Sequence, residues 1–346
     1  MMKYFRYIMV MVTINTLGAS EITKYIDVAM VTKDNTLMAL SSYAKEEHSI
    51  SFWSVDGLTF KLIKKFDFDD DNYISDMDFS DDGKYLAAGI NKIIYIWDTK
   101  TKALVKKINN LHELTIVKFS PTGKYLVAGD DKNRLMSWLV EDNFSFYMQV
   151  EGDKAGYKGK YKKDMGINVL AFSPDEKYLA VGFEDKDTQI YQIQSKFKKI
   201  ATIQNANNPA YEIFFTPNNE YIIISGNNGI NEVFNANIPF KRVKIFTAEA
   251  DELYSATLST EGRYYITSSD YNGLIQVWDI KKHFKNIVTL KGHNEYTTSL
   301  QFIHHNKYII SAGGDDSIKL WEVGKWHEVG SLTIDEKHQF QYKKKR

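Results

Sequence analysis

Three residue types that hydrolases combine lie close together late in the chain: His293, Ser311 and Asp315. A serine activated by an imidazole, itself oriented by a carboxylate, would attack a carbonyl carbon. Such a nucleophile needs an exposed oxygen, donors for the oxyanion and a substrate cleft. No Gly-x-Ser-x-Gly elbow surrounds Ser311. A second cluster, Asp67, Asp69, Asp70 and Asp71 with Ser75 and Asp78, loosely copies calcium-loop spacing. Its sixth position is Asn72 rather than Gly, and its twelfth is Asp78 rather than Glu. Residues 74–79 also read as a strand, so a solvated acidic turn is expected. His304-His305 has no third ligand at zinc spacing. The chain has no cysteine, which removes thiol nucleophiles, disulfides and thiolate metal sites. No cofactor and no metal are expected.

The elements that position these residues repeat. An aromatic residue closes an alternating run at Trp53, Trp97, Trp138, Tyr191, Phe234, Trp278 and Trp321, at intervals of 44, 41, 53, 43, 44 and 43 residues. Runs such as Ile93-Ile94-Tyr95-Ile96-Trp97 have the period of two and the β-branching of a strand. Upstream of each aromatic stands a second ladder: FSDDGKYL at 79–86, FSPTGKYL at 119–126, FSPDEKYL at 172–179 and FTPNNEYI at 215–222. LSTEGRYY at 258–265 and FIHHNKYI at 302–309 are weaker copies, and the first copy, at 31–37, is degenerate. Each reads as strand, tight turn, strand: Pro sets φ at the first corner, and Gly or Asn tolerates the positive φ that follows. A fourth strand follows each aromatic. A four-stranded unit of about 43 residues cannot cover both its faces alone, and stacking copies around an axis covers them. The expected fold is all-β, a single seven-bladed β-propeller of four-stranded antiparallel blades. Expected boundaries are a leader at 1–20, the propeller at 21–336 and a basic tail at 337–346.

Composition fits this. Aromatic residues make up 14% of the 346 residues, favouring strands. Formal net charge is zero, so no global field draws the chain to nucleic acid or to an anionic membrane. No stretch of about 20 apolar residues could cross a bilayer as a helix. Before Glu21 there is no acidic residue, and Lys3 and Arg6 precede a short apolar run at 7–12 and Leu17-Gly18-Ala19. This pattern is open between a secretory signal or organellar presequence and an extra strand or loose leader. A cytoplasmic location is expected, with the secretory pathway or an organelle as the alternative.

The repeats resemble the WD-repeat family. Ile96-Trp97-Asp98 and Val277-Trp278-Asp279 carry the Trp-Asp pair, and Gly292-His293 carries the Gly-His pair that opens a repeat. The resemblance runs from about residue 24 to 336. It implies a structural tetrad of His, Ser, Asp and Trp in the last blade, here His293, Ser311, Asp315 and Trp321. That role competes with the hydrolase reading and is preferred to it. Other blades depart: Ala87-Ala88 stands where Ser is expected, and Tyr191-Gln192 and Phe234-Asn235 replace Trp-Asp. Those blades are expected to rest on apolar packing.

The resemblance also places loops. The interval of 53 residues holds an insertion at about 151–166, joining the fourth strand of one blade to the first of the next. Such loops open on the face that usually binds partners. Lys154, Lys158, Lys160, Lys162 and Lys163 stand there among Gly156, Tyr157, Gly159 and Tyr161. Lysines interleaved with tyrosines suit phosphates or an acidic peptide; glycines also suit a mobile solvated loop. Tyr73, Tyr211, Tyr254 and Tyr296 stand where first strands open and are candidate contacts, or interblade packing. The run Lys343-Lys344-Lys345-Arg346 reads as a solvated end. The function expected is a non-catalytic scaffold that binds proteins or peptides on one face, as a subunit of a larger complex. The alternatives are a hydrolase-like propeller enzyme and a phosphoinositide-binding propeller. For the second, Phe240-Lys241-Arg242-Val243 is the nearest string to the Phe/Leu-Arg-Arg-Gly motif of such relatives, and it departs at two positions.

Overall fold

The computed structural model describes residues 10–14, 22–44, 47–56, 59–69, 72–151, 166–183, 187–205, 209–226, 228–249, 253–269, 273–313, 315, 317–334 and 340–345. The fold is a seven-bladed β-propeller, each blade four antiparallel strands. The two helical elements among the described residues are three-residue 3-10 turns at Ile193–Ser195 and Ile280–Lys282.

One compact unit spans 74–247 and holds blades 2 to 5. Blade 2 runs Ile74–Phe79, Tyr85–Ile90, Ile93–Asp98 and Ala103–Asn109; blade 3 runs Leu114–Phe119, Tyr125–Asp130, Arg134–Leu139 and Ser145–Glu151. Blade 4 is Ile167–Phe172, Tyr178–Phe183, Asp187–Gln192 and Lys198–Gln204, and blade 5 is Ala210–Phe215, Tyr221–Gly226, Ile230–Asn235 and Arg242–Thr247. The second strands are nearly all buried, while the fourth strands alternate between exposed and half-buried. Apolar clusters run from blade to blade, as where Ile116 and Leu135 of blade 3 meet Leu179 and Val181 of blade 4.

The other unit comprises 1–73 and 248–346. It holds blade 1 (Ile22–Val31, Leu37–Ala44, Glu47–Asp56, Thr59–Phe68), blade 6 (Leu253–Leu258, Tyr264–Ser269, Ile275–Asp279, Lys285–Leu290) and blade 7 (Thr297–Ile303, Tyr308–Gly313, Ile318–Glu322, His327–Ile334). Among the described residues two strands lie outside the repeat. Val10–Ile14 pairs antiparallel with Ile22–Val31, and Phe340–Lys344 pairs antiparallel with His327–Ile334. The basic end, read from sequence as solvated, is thus in part a strand.

Two local devices recur. In the first turn of every repeat but the last, where Ile303 stands instead, a hydroxyl does the capping. Ser80, Ser173 and Thr216 donate to Asp82, Asp175 and Asn218 at 2.6–2.8 Å and accept the backbone N–H of Tyr85, Tyr178 and Tyr221 at 2.9 Å. The fourth turn residue takes positive φ: Gly83, Gly123, Asn219 and Gly262, and also Glu176.

The second device is an aromatic plug just before the fourth strand. Phe144, Phe197, Phe240, Phe284 and Trp326 all have φ between 51° and 57°. Within the first unit Phe144 meets Tyr85 edge-on at 5.3 Å, Phe197 meets Tyr125 at 5.4 Å and Phe240 meets Tyr178 at 5.4 Å. Within the second, Trp326 meets Tyr264 at 4.9 Å. Each tyrosine belongs to the preceding blade, so the contact locks neighbours together. A basic residue covers the ring at Tyr85, Tyr125 and Tyr264, from Lys84, Lys124 and Arg263. Trp326, which stands outside the main aromatic ladder, is therefore in step with a ladder of its own.

Candidate functional site

The last blade carries a complete hydrogen-bond chain. Asp315 Oδ1 lies 2.9 Å from His293 Nδ1, and His293 Nε2 lies 2.7 Å from Ser311 Oγ. Trp321 Nε1–H donates to the same Ser311 oxygen at 2.8 Å. Burial holds the imidazole below the usual histidine range and so favours the neutral ring. In the neutral ring Nδ1–H donates to the carboxylate, and Nε2 accepts the serine proton. This is the connectivity of a hydrolase triad with Ser311 fully buried. Its oxygen faces a tryptophan instead of a cleft. The carboxylate of Asp315 also accepts Asn294 N–H at 2.9 Å and Ser317 Oγ–H at 2.6 Å. The network therefore pins the loop at 291–296 to the turn between the second and third strands. Asn294 and Glu295 are exposed there, and Tyr296 is half-buried at the opening of the first strand.

Other blades keep fragments of this network. Thr267 occupies the register position of Ser311 in blade 6 and accepts Trp278 Nε1–H at 3.0 Å. In blade 1 Trp53 donates to Ser51, and in blade 4 the Tyr191 hydroxyl donates to Gln189. Blade 2 puts Ala88 at the register position.

Blade 3 does the same job with different residues, which the sequence reading missed. Asp130, fully buried, accepts the backbone N–H of Lys132 at 3.0 Å and of Arg134 at 2.9 Å. Arg134 Nε donates to its other oxygen at 2.7 Å, and Nη2 donates to Asn110 Oδ1 at 3.2 Å. Asn110 Nδ2 donates in turn to the carbonyl of His112 at 2.9 Å. The loop at 110–113 is thereby tied to the turn at 131–133. At its tip Leu111 is 76% exposed. An apolar residue between Asn110 and His112 is the sequence signal that could have found it.

The other candidates fall as follows. Tyr73 is half-buried and meets His48 edge-on at 6.1 Å; Tyr211 is half-buried in the first strand of blade 5. Tyr254 lies in the first strand of blade 6, and its side chain is outside the described residues. Lys154, Tyr157, Lys158, Lys160, Tyr161, Lys162 and Lys163 lie outside the described residues, as do Asp70 and Asp71. The remaining residues of the calcium-like spacing do not converge. Asp67 pairs with Lys65, Ser75 donates to the Gly89 carbonyl at 3.1 Å, and Asp78 accepts Phe119 N–H at 2.7 Å. Among the described residues no group of three or more His, Asp or Glu could hold a metal ion. His304 and His305 sit in a turn, with His304 edge-on to Tyr308. In the string at 240–243, Phe240 is a buried plug and Arg242 pairs with Glu232 at 2.6 Å.

Asp76 and Asp78 link blades 2 and 3. Asp76 accepts Val117 N–H at 3.2 Å, and Lys118 Nζ lies 3.1 Å from Asp78. Burial pushes the Asp78 carboxyl up to about 6, against the pull of Lys118.

Comparison with known proteins agrees with the geometry. The family model "WD domain, G-beta repeat" matches residues 60–98, 157–192 and 284–322. Human pre-mRNA-processing factor 17 is 23% identical over 249 residues, covering 69% of this chain and 40% of that protein. The non-catalytic subunit of tRNA (guanine-N(7)-)-methyltransferase of Xenopus laevis is 23% identical over 172 residues, covering 49% of this chain and 42% of that one. The chain thus spans about 40% of the length of these relatives. A chain in the crystal structure of the mitotic checkpoint complex superposes with a TM-score of 0.71 at 16% identity, over 86% of each chain.

Proposed function

Since the chain is a WD-repeat β-propeller, we propose that it is a non-catalytic scaffold that binds other proteins through the loops leading into its first strands. The observation that carries this is the pinning of those loops by buried networks that leave their tips exposed. Asp315 and His293 hold 291–296, and Asp130 and Arg134 hold 110–113. A pre-ordered loop loses little entropy on binding, and exposed apolar or aromatic side chains on it are suited to serve as anchors. Leu111 is exposed in this way, and Tyr296 stands half-buried at the end of the other loop. Ser311, whose hydroxyl meets an imidazole as a nucleophile's would, is sealed inside. The names of the relatives support the reading, since they are a processing factor and a non-catalytic subunit. The lysine-rich insertion is a further contact on this proposal, tested separately below.

Affinity capture from native cells tests the proposal. Partners held by the wild-type chain should be lost with Tyr296→Ala or Leu111→Asp while the fold is kept. Unchanged capture by both variants would contradict it.

A further inference from the structure

The fourth strands of blades 2 and 3, Ala103–Asn109 and Ser145–Glu151, form the walls of an apolar groove. Its floor is the cluster in which Ile94 and Ile96 of blade 2 meet Met136 and Trp138 of blade 3. Residues opposed across two strands share a face, which carries that side out to the walls. Ile94 pairs with Ile108 and Ile96 with Lys106, so both face blade 3. Trp138 pairs with Phe146, the rings edge-on at 6.4 Å, so Phe146 faces blade 2. Val105 is the extra residue of a bulge. In the matching bulges of blades 3 and 4 the extra residue packs on the same cluster as its successor, Tyr147 with Met148 and Ile200 with Ala201. Val105 thus shares the side of Lys106. Phe146 is 61% exposed and Val105 46%, so the walls do not close over the floor.

The walls differ in charge. Between Asp98 and Glu113 there are four lysines and no acid, and between Asp142 and Glu151 there is no charge of either sign. Lys102 donates to the Thr99 carbonyl, and Lys107 lies over Tyr95 on the far side of its strand. Lys106 stands on the groove side and meets no acidic group among the described residues. Other blades close this place. Where blade 3 has Phe146, blade 5 has Arg242 paired with Glu232 and blade 7 has Glu328 paired with Lys345.

We propose that this groove receives a segment of a partner protein that sets an apolar side chain against Phe146 and Ile108 and a carboxylate against Lys106. The apolar surface is recessed between two strands, which suits a protruding side chain and not the plane of a bilayer. A nucleic-acid strand needs cations along its track, and one wall here has none. A second copy of the groove would bring lysine to lysine, and like charges oppose association. The inference rests on the reading of the chain as a polypeptide-binding scaffold, yet uses none of the residues at 110–113 or 291–296.

The test is fluorescence anisotropy of the full chain with the labelled hexapeptide Glu-Asp-Leu-Leu-Asp-Glu. One control peptide replaces both leucines with serine, and the other replaces all four acids with lysine. The acidic leucine peptide should bind at least about tenfold more tightly than either control. Phe146→Ser should remove that margin. Leu104→Ser, at a residue 41% exposed on the opposite side of the neighbouring strand, should keep it. Lys106→Glu should transfer binding to the lysine peptide, a gain that an unfolded variant could not show. Amides at 105–109 and 145–150 should slow in hydrogen exchange when the peptide is added. Tyr296→Ala and Leu111→Asp should leave peptide binding unchanged, which separates failure here from failure of the loop assignment. Absent or equal binding of the three peptides, or an acidic preference kept by Lys106→Glu, would overturn the proposal. So would self-association through this groove in sedimentation, or slowing of these amides by phosphatidylserine vesicles but not by peptide.

Discussion

The hydroxyl of Ser311 has one proton, which it donates in a hydrogen bond to His293, and its oxygen accepts the hydrogen bond of the Trp321 N–H. Those two contacts decide between nucleophile and strut. Residue types alone left both open, because spacing says that His, Ser and Asp can meet but not whether water can reach them. Removing Trp321 deletes a fully buried ring and the donor to Ser311, so Trp321→Ala should cost about 3–5 kcal/mol. Trp326→Ala loses a half-buried ring and one edge-on contact with Tyr264, which should cost nearer to 1–2 kcal/mol. Denaturant titration of the two variants checks the order, and equal losses would contradict it. Asp78 makes a separate claim. Its folded carboxyl titrates near 6, above the ordinary 3.8, so the folded state holds that proton more tightly than the unfolded chain. The sign follows: this group's contribution is complete below about pH 4 and is lost as pH rises through about 6. Asp78→Asn keeps an oxygen for Phe119 N–H without the charge, and should flatten stability against pH between about 4 and 7. An unchanged slope would show that Asp78 is not the group responsible.

A blade strand is legible because its two faces are dry and its turns need special φ. The tyrosines at 85, 125, 178, 221 and 264 each open a second strand, as FSPDGKYL-type segments suggested. The serine in that segment was legible only as a turn residue, since its buried capping role depends on the N–H five residues on. The plugs were missed for a different reason. Phe144, Phe197, Phe240, Phe284 and Trp326 lie in turns at positive φ, where large side chains are uncommon, and nothing local announces that the ring will lie on a neighbouring blade. Their own intervals of 53, 43, 44 and 42 residues were the available signal. If the plugs fasten blades, Phe144→Ala should destabilise by about 3–5 kcal/mol, whereas the neighbouring Asn143→Ala, exposed in the same turn, should cost less than about 1 kcal/mol. Equal effects in thermal unfolding would mean that the turn matters and the ring does not.

At the scale of the whole molecule, a net charge of zero conceals local sorting: five lysines stand between 154 and 163, and the segment 193–204 has three lysines and no acid. The fold was legible because seven copies repeat one register. The candidate site was legible only in part, because loops are free of that register and their residues gain meaning from what holds them. Asp130 and Arg134 showed nothing in sequence, yet they fix the loop that exposes Leu111. Exposed charges mainly set association rate and salt dependence. Changing Lys158, Lys160, Lys162 and Lys163 to Glu should therefore slow partner association and flatten its dependence on salt, with dissociation little altered. Surface plasmon resonance across a salt series checks this, and an unchanged slope would remove the insertion from the interface. The most direct test of the scaffold assignment is hydrogen exchange of the full chain with and without its captured partner. Amides at 110–114 and 291–297 should slow. Slowing confined to the opposite turns, at 81–84, 121–124 and 260–263, with none at those loops, would contradict it.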